Sequence, residues 1–131
     1  MSGVDRLLAQ ARSGLHRADP HRDKQIADEG GLLIDIRPAA QRAEFGEVPG
    51  ALIVERNNLE WRLDPQGSHR LPEAADPGRP VVIICQEGYA SSLAAASLLS
   101  LGRTSVTDLD GGFVAWRQAG LPTTPGARAS S

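Results

Sequence analysis

Apolar residues in this chain fall into short dense runs separated by polar stretches, and the runs alternate between two spacings. VDRLLAQAR over residues 4–12 puts Val4, Leu7, Leu8 and Ala11 at helical spacing before Gly14. That predicts a short amphipathic helix. LHR after it has room only for a stub of strand. Asp19 before Pro20 pairs an N-cap acceptor with a residue preset for the first turn, which predicts a second helix ending at Gly30-Gly31.

LLIDI at 32–36 is almost wholly apolar and reads as a strand buried on both faces. AAQRAEF then predicts a helix, GEVPG a turn and ALIV a second strand. The stretch 55–80 is polar and rich in proline and glycine, with one helical turn near Leu59 to Leu63, so a surface excursion is expected. VVII at 81–84 is β-branched throughout and ends directly at Cys85. SSLAAASLLSLG predicts a helix capped by Ser91 or Ser92 and closed by Gly102. SVTDL at 105–109 predicts the last strand, GFVAWRQAG the last helix, and a short flexible tail of small residues is expected after LPTTP. No internal repeat is visible.

Short strands alternating with helices need crossovers, which predicts an α/β fold: a mainly parallel sheet with helices on both faces. In such sheets ligands sit beyond the carboxyl ends of the strands, the edge where Cys85 falls. With 131 residues, a single domain is expected, its core over about 15–122.

Charge and cysteine usage narrow the chemistry. Net charge is -2, from 14 Lys+Arg against 16 Asp+Glu, with no basic run, which argues against a nucleic-acid partner. MSGVDRLLAQARSGLHR lacks a secretory apolar stretch and no long apolar run follows, so no membrane partner and a cytoplasmic location are expected. The single cysteine excludes an internal disulfide and a multi-cysteine metal site. His16, His21 and His69 lack metal-ligand spacing, so neither a metal nor a cofactor is expected. Oligomeric state leaves no mark in the spacing.

VVIICQEGYASSLAAASLL forms one unit: buried strand, cysteine at its tip, a loop with Gly88, then a helix start facing the loop. Unpaired N–H groups of the loop and of the helix start, with the helix dipole, favour an anion there. A dipole contributes about 0.3–1 kcal/mol, less than the ~1.36 kcal/mol of one pKa unit, so several convergent N–H donors are required. Gly88 is expected to supply a positive φ or a close backbone approach. Taken without these neighbours, a cysteine after VVII reads as a small buried hydrophobe.

Asp35 and Arg37 fall at a strand's carboxyl end, where Arg37 could orient an anionic donor; a structural pair holding neighbouring loops is the plainer reading, and the favoured one. Arg42 and Arg56 are further candidates for pocket support, against the plainer reading as solvated surface residues. Phe113 and Trp116 are expected to be core anchors on one helix face, and Trp61 to pack as well.

Four separated blocks from about Leu32 to Pro122 resemble the rhodanese family. LLIDIRP resembles its aspartate-x-arginine strand end, and GEVPGA its glycine-histidine-isoleucine-proline-glycine-alanine turn. CQEGYASS resembles its active-site loop, and LDGGFVAW its glycine-glycine-phenylalanine-x-x-tryptophan block. The resemblance implies a five-stranded parallel sheet and a sulfurtransferase in which Cys85 is persulfurated by a small-molecule donor and discharged to a thiol, protein or cyanide acceptor. It implies a loop of Gln86, Glu87, Gly88, Tyr89 and Ala90 whose amides cradle the terminal sulfur, with Ser91 beginning the helix. Family members that favour thiosulfate commonly carry basic residues just after the cysteine, where this chain has Gln86 and Glu87. The turn's usual histidine is Glu47 here, a structural position.

Two other functions fit such a loop. A cysteine phosphatase needs an arginine that grips phosphoryl oxygens, but the sixth position after Cys85 is Ser91 and the fifth is Ala90. A low-turnover binding or regulatory module would present the loop to a partner protein, a reading that the retained cysteine opposes.

Overall fold

The computed structural model describes residues 1–127; the flexible tail expected at the C-terminus lies largely outside the described residues. Four strands form one parallel sheet: β1 (Leu32–Asp35), β2 (Leu52–Ile53), β3 (Val81–Ile84) and β4 (Val106–Asp108), in the order β2-β1-β3-β4. Six helices surround it: α1 (Gly3–Ser13), α2 (Pro20–Asp28), α3 (Ala39–Phe45), α4 (Leu59–Leu63), α5 (Ala90–Ser100) and α6 (Gly112–Gln118). All neighbouring strands run parallel, so every connection crosses over the sheet.

Side-chain alternation along the central strands divides the core in two. Leu32, Ile34, Val81 and Ile83 face a layer with Leu59, Leu63, Ala94, Ala95 and Leu98 of α4 and α5. Leu33, Val82 and Ile84 face Phe113 and Trp116 of α6. The same alternation carries Cys85 onto the α5 side.

The sheet has four strands where the family resemblance implied five. The fifth position, beside β4, holds a single bridge between Ala18 and Leu109. Ala18 N–H donates to the Asp108 carbonyl at 3.5 Å, and Asp110 N–H to the Ala18 carbonyl at 3.0 Å. Pro20, two residues on, has no N–H to extend the ladder and opens α2 under the Asp19 cap.

Three local expectations are also corrected. Trp61 is 61% exposed, because α4 turns Leu59 and Leu63 inward and leaves the residue midway between them facing out. Ser91 and Ser92 lie inside α5, whose N-cap position is Tyr89 with no side-chain cap. The ALIV strand shortens to Leu52–Ile53. The 55–80 excursion is pinned by Arg103, itself 2% exposed, whose guanidinium donates to the carbonyls of Leu63, Ala74, Asp76 and Arg79.

Candidate active site

Strand β3 ends at Ile84, and Cys85 follows it at 7% exposure. Its sulfur meets two main-chain donors: Gly88 N–H at 3.2 Å and Ser91 N–H at 3.3 Å. The second of these belongs to the first turn of α5, so Cys85 Sγ occupies the place that a capping side chain would take. The positive end of the α5 dipole reinforces the same contact. No acceptor among the described residues takes the Tyr89 or Ala90 N–H, and both residues line the cavity at Cys85.

The loop closes this tightly because two glycines let backbone meet backbone. Gly88 has φ +90°, and a Cβ there would stand 2.8 Å from the Gly111 nitrogen. Gly112, with φ +64°, brings α6 up beneath the cysteine, where a Cβ would fall 2.7 Å from the Cys85 carbonyl oxygen. Phe113 N–H then donates to that carbonyl at 2.9 Å, and Val114 N–H to the Gln86 carbonyl at 3.2 Å. The GGFVAW block therefore supports the loop from below while Phe113 and Trp116 anchor α6 in the core at 1% exposure each.

A buried polar network holds the loop from the side. Asp108, fully buried on β4, accepts the hydroxyls of Ser91 at 2.7 Å and Ser92 at 2.9 Å. It also pairs with Arg17, whose Nε lies 3.0 Å from Oδ1. Burial alone would draw the Arg17 pKa down, but the hydrogen bond and charge of Asp108, with Asp110, outweigh it and hold the guanidinium above its usual value. Arg17 and Arg12 both donate to the Gly88 carbonyl, at 2.8 and 2.9 Å. Sequence spacing did not single out Arg12, Arg17 or Asp108. A carboxylate closing the short strand in SVTDL was the available signal for Asp108; the arginines sit more than 70 positions from Gly88 and leave none.

Asp35 and Arg37 form a fully buried pair, with Arg37 Nη2 2.8 Å from Asp35 Oδ2. Arg37 also donates to the Gly46 carbonyl and to Gln86 Oε1, and its guanidinium lies 4.2 Å from the Phe113 ring centre. Arg37 thus ties the turn at Gly46 to the cysteine loop through Gln86.

A cavity of about 570 Å³ opens over Cys85, walled by Gln86, Glu87, Tyr89 and Ala90 from the loop and by Ile36, Arg37, Glu55 and Arg56 from the facing loops. Its two arginines are already engaged, Arg37 with Asp35 and Arg56 with Glu60 at 2.9 Å. Burial pushes the Glu60 carboxyl up, yet the Ser97 hydroxyl, its own backbone and Arg56 together hold it below its usual range. Glu55 and Glu87 are exposed at the cavity wall and make no side-chain hydrogen bond among the described residues. Arg42 does not line the cavity; it pairs with Glu47 at 3.2 Å, and that pair stabilises the turn.

Known proteins resemble this chain in sequence and in fold. A family model described as a rhodanese-like domain matches residues 19–119. The thiosulfate sulfurtransferase GlpE of Pseudomonas fluorescens (strain SBW25) is 33% identical over 105 residues, covering 80% of this chain and 87% of that protein. Among solved structures, a protein of unknown function from Rhodopseudomonas palustris CGA009, described as a possible tyrosine phosphatase, superposes with a TM-score of 0.83. It is 28% identical, over 94% of this chain and 95% of its own. The 30 kDa polysulfide-sulfur transferase homodimer from Wolinella succinogenes shares the fold, with a TM-score of 0.74 and 23% identity over 95% of this chain and 88% of that one.

Proposed function

The chain belongs to the rhodanese-like domain family, and from that premise we propose that it is a sulfurtransferase that carries sulfane sulfur on Cys85. The thiolate attacks the outer sulfur of a persulfide or thiosulfate donor, breaking the donor's sulfur–sulfur bond and releasing a thiolate or sulfite. From a mercaptoacid such as 3-mercaptopyruvate it takes the thiol sulfur as the carbon–sulfur bond breaks, and the enolate of pyruvate leaves and picks up a proton. Cys85 then bears a persulfide. An acceptor thiolate or cyanide attacks the outer sulfur, takes it, and returns Cys85 as thiolate, so no net oxidant is required.

The observation that carries this reading is the pair of N–H groups, from Gly88 and Ser91, aimed at Cys85 Sγ. A persulfide adds one sulfur beyond Sγ, and the free Tyr89 and Ala90 N–H groups at the cavity wall are the donors proposed to receive it. Gln86 orients the loop through Arg37. With Arg37 and Arg56 engaged and Glu55 and Glu87 at the wall, the cavity favours an organic persulfide or a mercaptoacid over doubly charged thiosulfate. A reducing compartment, the cytoplasm, keeps the lone thiol available for the reaction.

Phosphate-ester hydrolysis, the activity suggested for the Rhodopseudomonas palustris protein, is disfavoured in this chain. Ser91 stands sixth after Cys85 and turns its hydroxyl to Asp108, leaving no guanidinium in the loop to clamp phosphoryl oxygens.

Mass spectrometry after incubation with thiosulfate, 3-mercaptopyruvate and an alkyl persulfide tests the proposal, read beside thiocyanate formation with cyanide. The expected result is a gain of one sulfur atom on wild type and none on Cys85→Ser. Equal thiocyanate from wild type and Cys85→Ser, or hydrolysis of p-nitrophenyl phosphate in place of sulfur transfer, overturns it.

A further inference from the structure

The two arginines that grip the Gly88 carbonyl come from residues that precede the 19–119 segment matched by the family model. Arg12 is carried on α1, a helix with no buried residue, whose Val4 and Leu7 are 59% and 52% exposed. The helix lies against α5 with Leu8 and Ala11 only half-buried, so apolar packing does not fix its seating by itself. Its polar connections to the rest of the molecule run through Arg12. Nη2 reaches the Gly88 carbonyl at 2.9 Å, Nε reaches the Ser92 hydroxyl at 2.9 Å, and the guanidinium stands 5.8 Å from the Tyr89 ring centre.

We propose that Arg12 is a positioning residue for sulfur transfer, holding the Gly88–Tyr89 peptide in the orientation that leaves the Tyr89 N–H free for the terminal sulfur of the Cys85 persulfide. The inference rests on the sulfurtransferase reading above. In a trans peptide the carbonyl and the following N–H point in opposite directions, and no cis bond occurs among the described residues. Two guanidiniums drawing the Gly88 oxygen to one side therefore turn the Tyr89 N–H to the other. Gly88, at φ +90°, has the freedom to let that peptide rotate, so the orientation must be imposed from outside. Arg17 supplies part of this grip, but Asp108 and Asp110 already bind it. Arg12 has no carboxylate partner among the described residues, so its charge is directed at the loop.

The grip on Ser92 serves the same end. Ser92 donates its hydroxyl to Asp108 while accepting from Arg12, so α1, the first turn of α5 and β4 are joined through one oxygen. Polarising the Gly88 carbonyl also strengthens the donor capacity of the N–H on the same peptide.

The test uses the full-length protein as Arg12→Met, which keeps the aliphatic stem, Arg12→Lys, and Arg6→Ala as a control elsewhere on α1. Arg12→Met should lower kcat for sulfur transfer about ten-fold with KM little changed, Arg12→Lys should recover part of it through one charged donor, and Arg6→Ala should match wild type. Alkylation of Cys85 by iodoacetamide at pH 7 needs no sulfur donor. It should slow about three-fold or more in Arg12→Met, and melting temperatures identify any variant that fails to fold. Wild-type kcat together with unchanged or faster alkylation in folded Arg12→Met overturns the proposal. If wild type moves no sulfur, the function reading fails by itself and the alkylation rates still decide whether Arg12 sets the loop.

Discussion

Ser91 gives its main-chain N–H to Cys85 Sγ and its hydroxyl to Asp108, at 3.3 and 2.7 Å. One residue thus couples the reactive sulfur to a fully buried carboxylate of the sheet that accepts four hydrogen bonds. Asp108→Asn keeps the shape but removes the buried charge facing Arg17, so it leaves a partly buried guanidinium with only the exposed Asp110 as counter-ion. We expect a loss of about 2–4 kcal/mol in urea unfolding and a fall in sulfur transfer larger than the unfolded fraction explains. Ser91→Ala, which keeps the N–H, should lower stability by only ~1 kcal/mol and leave transfer within about three-fold. Similar activity losses in both variants would show that the hydroxyl, and not the Asp108 charge, sets the loop.

Charge at the cavity wall gives a second expectation. Glu87 is exposed, unpaired among the described residues, and lines the cavity over Cys85. Exposed charge pairs contribute about 0.5–1 kcal/mol, and Glu87→Lys reverses rather than removes the charge, so kcat/KM for thiosulfate should rise about three- to ten-fold. An alkyl persulfide, with one negative charge against two for thiosulfate, should respond less. Identical thiosulfate kinetics in both proteins would mean that this carboxylate does not face the donor.

What the sequence made legible was local. The apolar run of β1, the β-branched run of β3, the Asp19-Pro20 helix start and the loop from Cys85 to Ser91 each lie within one stretch of chain, where spacing and residue type speak directly. The serine cap was misread because a sulfur does the capping: Cys85 Sγ takes the Ser91 N–H, which leaves both serine hydroxyls to Asp108. The fifth strand shrank to one bridge because Pro20 follows too closely. Arg12, Arg17 and Arg103 were invisible for a different reason. Each acts on carbonyls far away in sequence, and a carbonyl has no residue type to betray it.

Arg103 shows how much such a residue holds. Its two terminal nitrogens reach four carbonyls between Leu63 and Arg79, and burial lowers its pKa from the usual arginine value. Arg103→Met should destabilise the protein by about 2–4 kcal/mol, because the buried carbonyls lose their donors together. Arg103→Lys should recover little, since an ammonium lacks the planar fork. Limited proteolysis should cut first between residues 64 and 79 in both variants; cleavage elsewhere would contradict the role.

Asp23 provides the pH test. It is fully buried on α2, neither carboxyl oxygen has a hydrogen-bond partner among the described residues, and its pKa is raised to about 8. Burial is the largest cause; Asp108, Asp19 and Asp110 add to it and Arg22 opposes it. Since the folded form holds its proton to higher pH than the unfolded chain, whose carboxyl titrates near 3.8, the folded state binds more protons between those values. Stability therefore falls as pH rises from about 4 to about 8, by at most ~1.4 kcal/mol per unit from this group, and levels off above. Asp23→Asn removes that slope and should be more stable than wild type at pH 8. Urea midpoints between pH 5 and 9 decide it: parallel curves for the two proteins would mean that Asp23 is not held protonated in the fold.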